Sequence, residues 1–215
     1  FLHVAVSENP LGPFVNSKML YERFSIDAHV VETSAGLFLF YAEDDTTAER
    51  VGTRIYVDKL IDPYTPANLR VEAVSPSFDE EIFMRNRFGD GKDWHTIEGP
   101  FWFEEKGYQY LMYSGGCYQN DTYHIGYASA KSTDADLTKV EFKKAVRCRK
   151  FCPVIIKNEI EEGTGHHSVI NYKGEWYAVY HGRDIKTEEN AEYVEERTAR
   201  ICRLEVKGGK IKAER

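Results

Sequence analysis

Three stretches of the 215-residue chain repeat one pattern, and the repeat limits the folds open to it more than any other feature. They read SIDAHVVETSAGLFLFYA from Ser25, TIEGPFWFEEKGYQYLMYS from Thr96 and TGHHSVINYKGEWYAVYHG from Thr164. In each, a functional side chain leads into an apolar strand, a glycine-containing turn and a second, aromatic strand. Asp27, Glu98 and His166 share one slot, three residues before the apolar pairs Val30-Val31, Phe101-Trp102 and Val169-Ile170. A third strand follows each time: RIYVDKL, HIGYASA and RICRLEV. No segment of helical period stands out, although TEENAEYVEERTAR can hold a helical turn or an acidic loop.

The chain is therefore all-β, with a unit of about 70 residues and three or four antiparallel strands, the size of a large propeller blade. Propellers set such sheets radially around a channel lined by their first strands, so Asp27, Glu98 and His166 are expected to meet near the axis at one mouth. The opening LHVAVSENPLGPF reads as the third strand of a unit whose first two strands are absent. The expected divisions are 1–24 for the end of a blade, 25–93 and 94–162 for whole blades, and 163–215 for the last. About three and a half blades leave edge strands and an apolar face uncovered. The chain is expected to need further blades, from the same polypeptide or from a partner.

A net charge of −7 and a pI near 5.6, with no basic run longer than RCRK at Arg147–Lys150, point away from nucleic acid and anionic membranes. No apolar run approaches the roughly 20 residues of a membrane span. Cys117, Cys148, Cys152 and Cys202 form neither a zinc pattern nor a disulfide framework. In an extended strand, CRKFC would hold Cys148 and Cys152 about 13 Å apart, beyond bridging reach. Free thiols fit a reducing compartment and lean towards the cytoplasm, but any signal peptide would lie outside this sequence, which leaves localisation open.

Glu98 precedes a run that otherwise reads as buried sheet. Aromatic neighbours desolvate a carboxyl there and favour its protonated form. A raised-pKa acid, a second carboxylate that tunes it and an aromatic pocket are the means of glycosidic-bond hydrolysis. The competing reading is a strand-end glutamate paired with Arg85 or Arg87. Asp27 can tune Glu98 or simply accept backbone hydrogen bonds in a turn. His166 and His167 are not spaced as a zinc site; on the axis, a neutral imidazole can help hold a cation or a water cluster. Trp94, Phe101, His29, Arg183 and Arg197 are the candidates for binding substrate, with Trp94 beside GDGKD as a wall for sugar stacking. Trp176 reads as core, and the arginines can equally pair with the acidic loop.

NPLGPF, SIDAHVV with LFLFYA, IEGPFWFEEKGYQYLMYS, and GTGHHSVI with GEWYAVYHGR, in this order, resemble glycoside hydrolase family 43. That is a family of five-bladed β-propellers acting as β-xylosidases, α-L-arabinofuranosidases and arabinanases. The resemblance implies that Glu98 in EGP is the general acid and Asp27 in IDA the carboxylate that tunes and orients it. It implies inversion in one displacement, no cofactor for the chemistry, and an axial His166 associated with a structural calcium, largely through waters. The substrate is an oligosaccharide or glycoside containing xylose or arabinose. The aspartate base of the family's first blade has no counterpart here, so the chain alone is expected to be incomplete and inactive. A non-catalytic carbohydrate-binding propeller is the rival reading, and another clan of five-bladed sugar hydrolases with a retaining mechanism is a further one. The sugar, the linkage and exo or endo action depend on loops such as 85–93 and 186–196.

Overall fold

Strands that the repeat marks out pair in chain order, because short turns favour antiparallel neighbours. The structure, a computed structural model, describes residues 1–185 and 196–215. The acidic stretch read as a helical turn or specificity loop lies, from 186 to 195, outside the described residues.

β1 (His3–Val6) and β2 (Val15–Met19) form a two-stranded antiparallel ribbon. The first full blade takes β3 (Ser25–Thr33), β4 (Gly36–Asp45) and β5 (Gly52–Asp62), edged by the short β6 (Thr65–Pro66) and by β7 (Val71–Val74). β8 (Ile82–Met84) pairs with the start of β9 (Trp94–Glu105), which opens the second blade with β10 (Tyr108–Gly115), β11 (His124–Ala130) and β12 (Lys143–Lys144). β13 (Val146–Arg147) and β14 (Lys150–Phe151) form a hairpin. The last blade is β15 (Glu161–Tyr172), β16 (Glu175–Asp184), β17 (Thr198–Lys207) and β18 (Lys210–Glu214). The architecture is all-β and propeller-like. No helix among the described residues is long and apolar enough to cross a membrane.

Alternation along the second strand of each blade decides how the blades stack. On β4, Phe38 and Phe40 face the second blade, where they join Ile97, Leu111 and Tyr113. Leu39 and Tyr41 point the other way, onto Tyr21, Tyr56 and Leu60. On β10, Tyr110 and Met112 turn towards Val169, Ala178, Tyr180 and Leu204 of the last blade. The first two blades are thus apolar on both faces, which is why their second strands read as nearly continuous apolar runs. The last blade leaves Ile170, Tyr172, Val179 and Ile201 exposed on its other face.

The first two blades are also tied by a parallel contact, with Gly52 opposite His95 and Thr53 opposite Thr96. A Cβ on Gly52 would lie 1.9 Å from the His95 carbonyl oxygen, so only glycine admits this approach. The contact pins the start of β9, and with it Glu98, to the first blade.

The extended reading of CRKFC is corrected by the β13–β14 hairpin. Cys148 and Arg149 form its two-residue turn with φ of 53° and 62°, the sense of twist that such hairpins require. All four cysteines are free thiols.

Candidate active site

Each first strand carries a β-bulge at the same depth, two residues facing one on the second strand. Asp27 and Ala28 face Tyr41, Gly99 and Pro100 face Tyr113, and His166 and His167 face Tyr180. The first residue of each bulge is left-handed, with φ of 59° at Asp27, 58° at Gly99 and 48° at His166. Aspartate and histidine tolerate that region better than most side chains, and glycine adopts it freely.

The bulges correct the sequence alignment by one residue. Gly99, not Glu98, is the structural equivalent of Asp27 and His166. Glu98 precedes its bulge and pairs with Ser114 across the ladder. There the Tyr123 hydroxyl donates to Glu98 Oε1 at 2.6 Å.

Across the blades, the Gly99 amide donates to Asp27 Oδ2 at 2.9 Å, while His166 Nε2 lies 3.7 Å from Asp27 Oδ1. The His166 amide donates to Ser114 Oγ at 2.7 Å. Asp27 does accept a backbone hydrogen bond, but from the neighbouring blade and not within a local turn. Three blades therefore meet around the Glu98 and Asp27 carboxyls. Arg85 and Arg87, offered as partners of Glu98, are engaged elsewhere: Arg85 pairs with Asp93 at 2.8 Å and Arg87 lies 4.9 Å over the Trp94 ring.

Burial raises the Glu98 pKa above the ordinary carboxylate value, and the nearby negative charges of Asp27 and Asp44 add to the rise. The Tyr123 hydrogen bond and His166 oppose it by favouring the carboxylate. His167 is buried behind His166, with neither ring nitrogen hydrogen-bonded, and desolvation pushes its pKa down to about 3. His29 packs on Phe101 at 4.3 Å between ring centroids, its Nε2 3.3 Å from the Trp102 carbonyl, and burial lowers its pKa.

A match to a family model covers nearly the whole chain, from residue 2 to residue 211. The chain belongs to glycosyl hydrolases family 43. Among solved structures, a thermostable family-43 glycoside hydrolase is 29% identical, with a TM-score of 0.74 over 98% of this chain and 65% of that one. An endo-1,4-β-xylanase from Bacteroides thetaiotaomicron is 20% identical, with a TM-score of 0.74 over 98% of this chain and 66% of that one. An α-L-arabinofuranosidase from Lactobacillus brevis is 21% identical, with a TM-score of 0.72 over 94% and 62%. The chain spans less than two thirds of each of these proteins. No curated protein matches it.

The remaining candidates of this family-43 chain have partners of their own. Trp94 stands four residues ahead of Glu98 but is buried, with Phe88 edge-on at 5.5 Å and Arg87 over its face. The exposed ring is that of Phe88. Phe101 packs between His29 and His167. Arg183 is buried, holding Glu162 at 3.0 Å and reaching the Tyr118 carbonyl at 3.4 Å. Arg197 lies 5.5 Å over the Tyr118 ring. Trp176, partly buried, packs on Phe103 with rings tilted at 39° beside the core between the last two blades.

A calcium ion takes six to eight oxygen ligands. The described residues gather no group of three or more His, Cys, Asp or Glu side chains able to hold a metal ion. The calcium that the family resemblance implies at His166 is held largely through waters and needs few side-chain ligands. Tyr123 and Ser114 are the site residues that the sequence did not single out. A glycine directly after Glu98 was the available signal, because glycine marks the left-handed position of a bulge.

Proposed function

We propose that this chain carries the acid half of an inverting glycosidase site for xylose- or arabinose-containing saccharides. The observation that carries the reading is the buried Glu98 carboxyl, raised in pKa and held by Tyr123 beside the Asp27 carboxylate where three blades meet. Protonated Glu98 gives its proton to the glycosidic oxygen as the bond to the anomeric carbon breaks. Asp27 disfavours the ionised form of Glu98 and, through the Gly99 amide, fixes the bulge beside it. Water attacks the opposite face of the sugar and loses its proton to a base. No residue of this sequence matches the first-blade aspartate that the family resemblance implies for that role. Family membership and the similarity to an endo-1,4-β-xylanase and an α-L-arabinofuranosidase support the substrate class.

Release of nitrophenol from xylopyranoside and arabinofuranoside substrates tests this, with the chain alone, with the longer polypeptide that includes it, and with Glu98→Gln. The expected outcome is hydrolysis by the longer product that falls by about 10²–10⁴-fold on substitution, with inverted product by NMR. Retained configuration overturns the mechanism. Xylo-oligosaccharide binding without Glu98-dependent hydrolysis in either product establishes the carbohydrate-binding alternative.

A further inference from the structure

The acid candidate is the end of a one-directional chain of hydrogen bonds. The His166 amide donates to Ser114 Oγ, the Ser114 hydroxyl donates to the Tyr123 oxygen, and the Tyr123 hydroxyl donates to Glu98 Oε1. Direction is forced from the Glu98 end. A carboxylate can only accept, so the Tyr123 proton goes to Glu98 and the Tyr123 oxygen is left to accept from Ser114. Both intermediate residues are buried, Ser114 at 0% and Tyr123 at 1% exposure, so water does not compete for these bonds.

Packing holds the tyrosine where the chain needs it. Its ring stacks on His181 at 5.6 Å with an interplanar angle of 15°. On another side lies Gly165, where a Cβ would come 2.0 Å from Tyr123 Cε1. Glycine at 165 thus makes room for the ring. The ring is a rigid spacer between the last blade and a carboxyl of the second.

We infer that Tyr123 is a positioning residue for Glu98, with Ser114 as its support: it fixes the carboxyl's rotation and occupies Oε1 as an acceptor, which reserves Oε2 for the acid proton. The inference rests on the proposed role of Glu98 and adds to it the oxygen that delivers the proton. It also makes the last blade a part of the acid device, since the His166 amide holds Ser114 at 2.7 Å. Phenylalanine at 123 keeps the ring and its packing while removing the donor, leaving the carboxyl free to turn.

The test uses the chain itself with ¹³C-labelled glutamate carboxyls, following their titration by NMR and assigning Glu98 by the signal absent from Glu98→Gln. The charged and titratable groups facing Glu98 are Tyr123, Asp27 from β3, Asp44 from β4 and His166 from β15. Tyr123→Phe removes only the first of these. The Glu98 midpoint should move to higher pH, because the lost bond favours the carboxylate. Ser114→Ala should move it the same way by less. Near-UV circular dichroism shows that the fold is kept. In the longer active product, Tyr123→Phe should lose about tenfold in kcat/KM on alkyl glycosides and less on nitrophenyl glycosides, whose leaving groups need less protonation.

A Glu98 titration in Tyr123→Phe that superposes on the wild type overturns the inference, as does an equal rate loss on both leaving groups. Undiminished hydrolysis by Glu98→Gln instead overturns the role of Glu98, whatever the titration shows.

Discussion

Gly165→Ala is the substitution that puts the most weight on the site's geometry. The added methyl would sit 2.0, 2.3 and 2.8 Å from three carbons of the Tyr123 ring. Carbon contacts are ordinarily about 3.5–4.0 Å, so the ring must recede by roughly 1.5 Å. Its hydroxyl lies 2.6 Å from Glu98 Oε1, and a retreat of that size carries it to about 4 Å, past hydrogen-bonding reach. Overpacking costs about 1–3 kcal/mol, and a hydrogen bond to a charged group contributes about 1.5–3 kcal/mol. The expected loss of about 3–5 kcal/mol is a large part of the roughly 5–15 kcal/mol that holds an ordinary domain. Urea unfolding of the wild type, Gly165→Ala, Tyr123→Ala and the double variant measures it as a cycle. With the ring gone, alanine at 165 should cost under about 1 kcal/mol, leaving a coupling of at least about 2 kcal/mol. An unfolding midpoint for Gly165→Ala close to the wild type, or additivity in the double variant, refutes the reasoning.

Glu98→Gln should stabilise the fold at neutral pH. The folded pKa of Glu98 is raised, so its contribution is fully present below the unfolded value of 4.5 and is lost as pH rises through the folded pKa. Thermal unfolding from pH 4 to pH 8 should show the variant's advantage growing with pH; a constant difference contradicts the assignment. Asp27→Asn should lower the pH at which the acid loses its proton, moving the basic limb of kcat/KM down in the longer product, because the Asp27 charge now raises the Glu98 pKa. In the second blade, Lys144 Nζ meets the fully buried Glu81 at 2.5 Å, and burial outweighs that pull to bring the Lys144 pKa down to about 8. Lys144→Met leaves the Glu81 charge buried without its cation and should cost about 3–5 kcal/mol in urea unfolding, most of it recovered by adding Glu81→Gln.

The site was partly legible because its parts sit in a repeat. Asp27 and His166 occupy equivalent bulges, and the family motifs mark Glu98 as their companion. The one-residue offset of Glu98 was not legible, since a bulge changes the register without changing the alternation of residue types nearby. Trp94 shows a similar limit. Its position in the chain is close to Glu98, but whether its face is open depends on Phe88 and Arg87, which reach it by folding back from a loop. The free state of Cys148 and Cys152 agreed with expectation although the local conformation did not, because two left-handed residues made a turn where an extended strand was read.

Strand periodicity, the repeat of about 70 residues and the order of blades were determined by the sequence itself, because they follow from local alternation and from glycine at the turns. The tertiary structure alone decided which residues distant in the chain touch. Tyr123 lies 25 residues from Glu98, and the His166 amide bonds Ser114 across a separation of 52. Such contacts depend on how loops and bulges fold back and on how two apolar sheet faces interlock. Nothing in the immediate neighbourhood of any of these residues encodes the partner they meet.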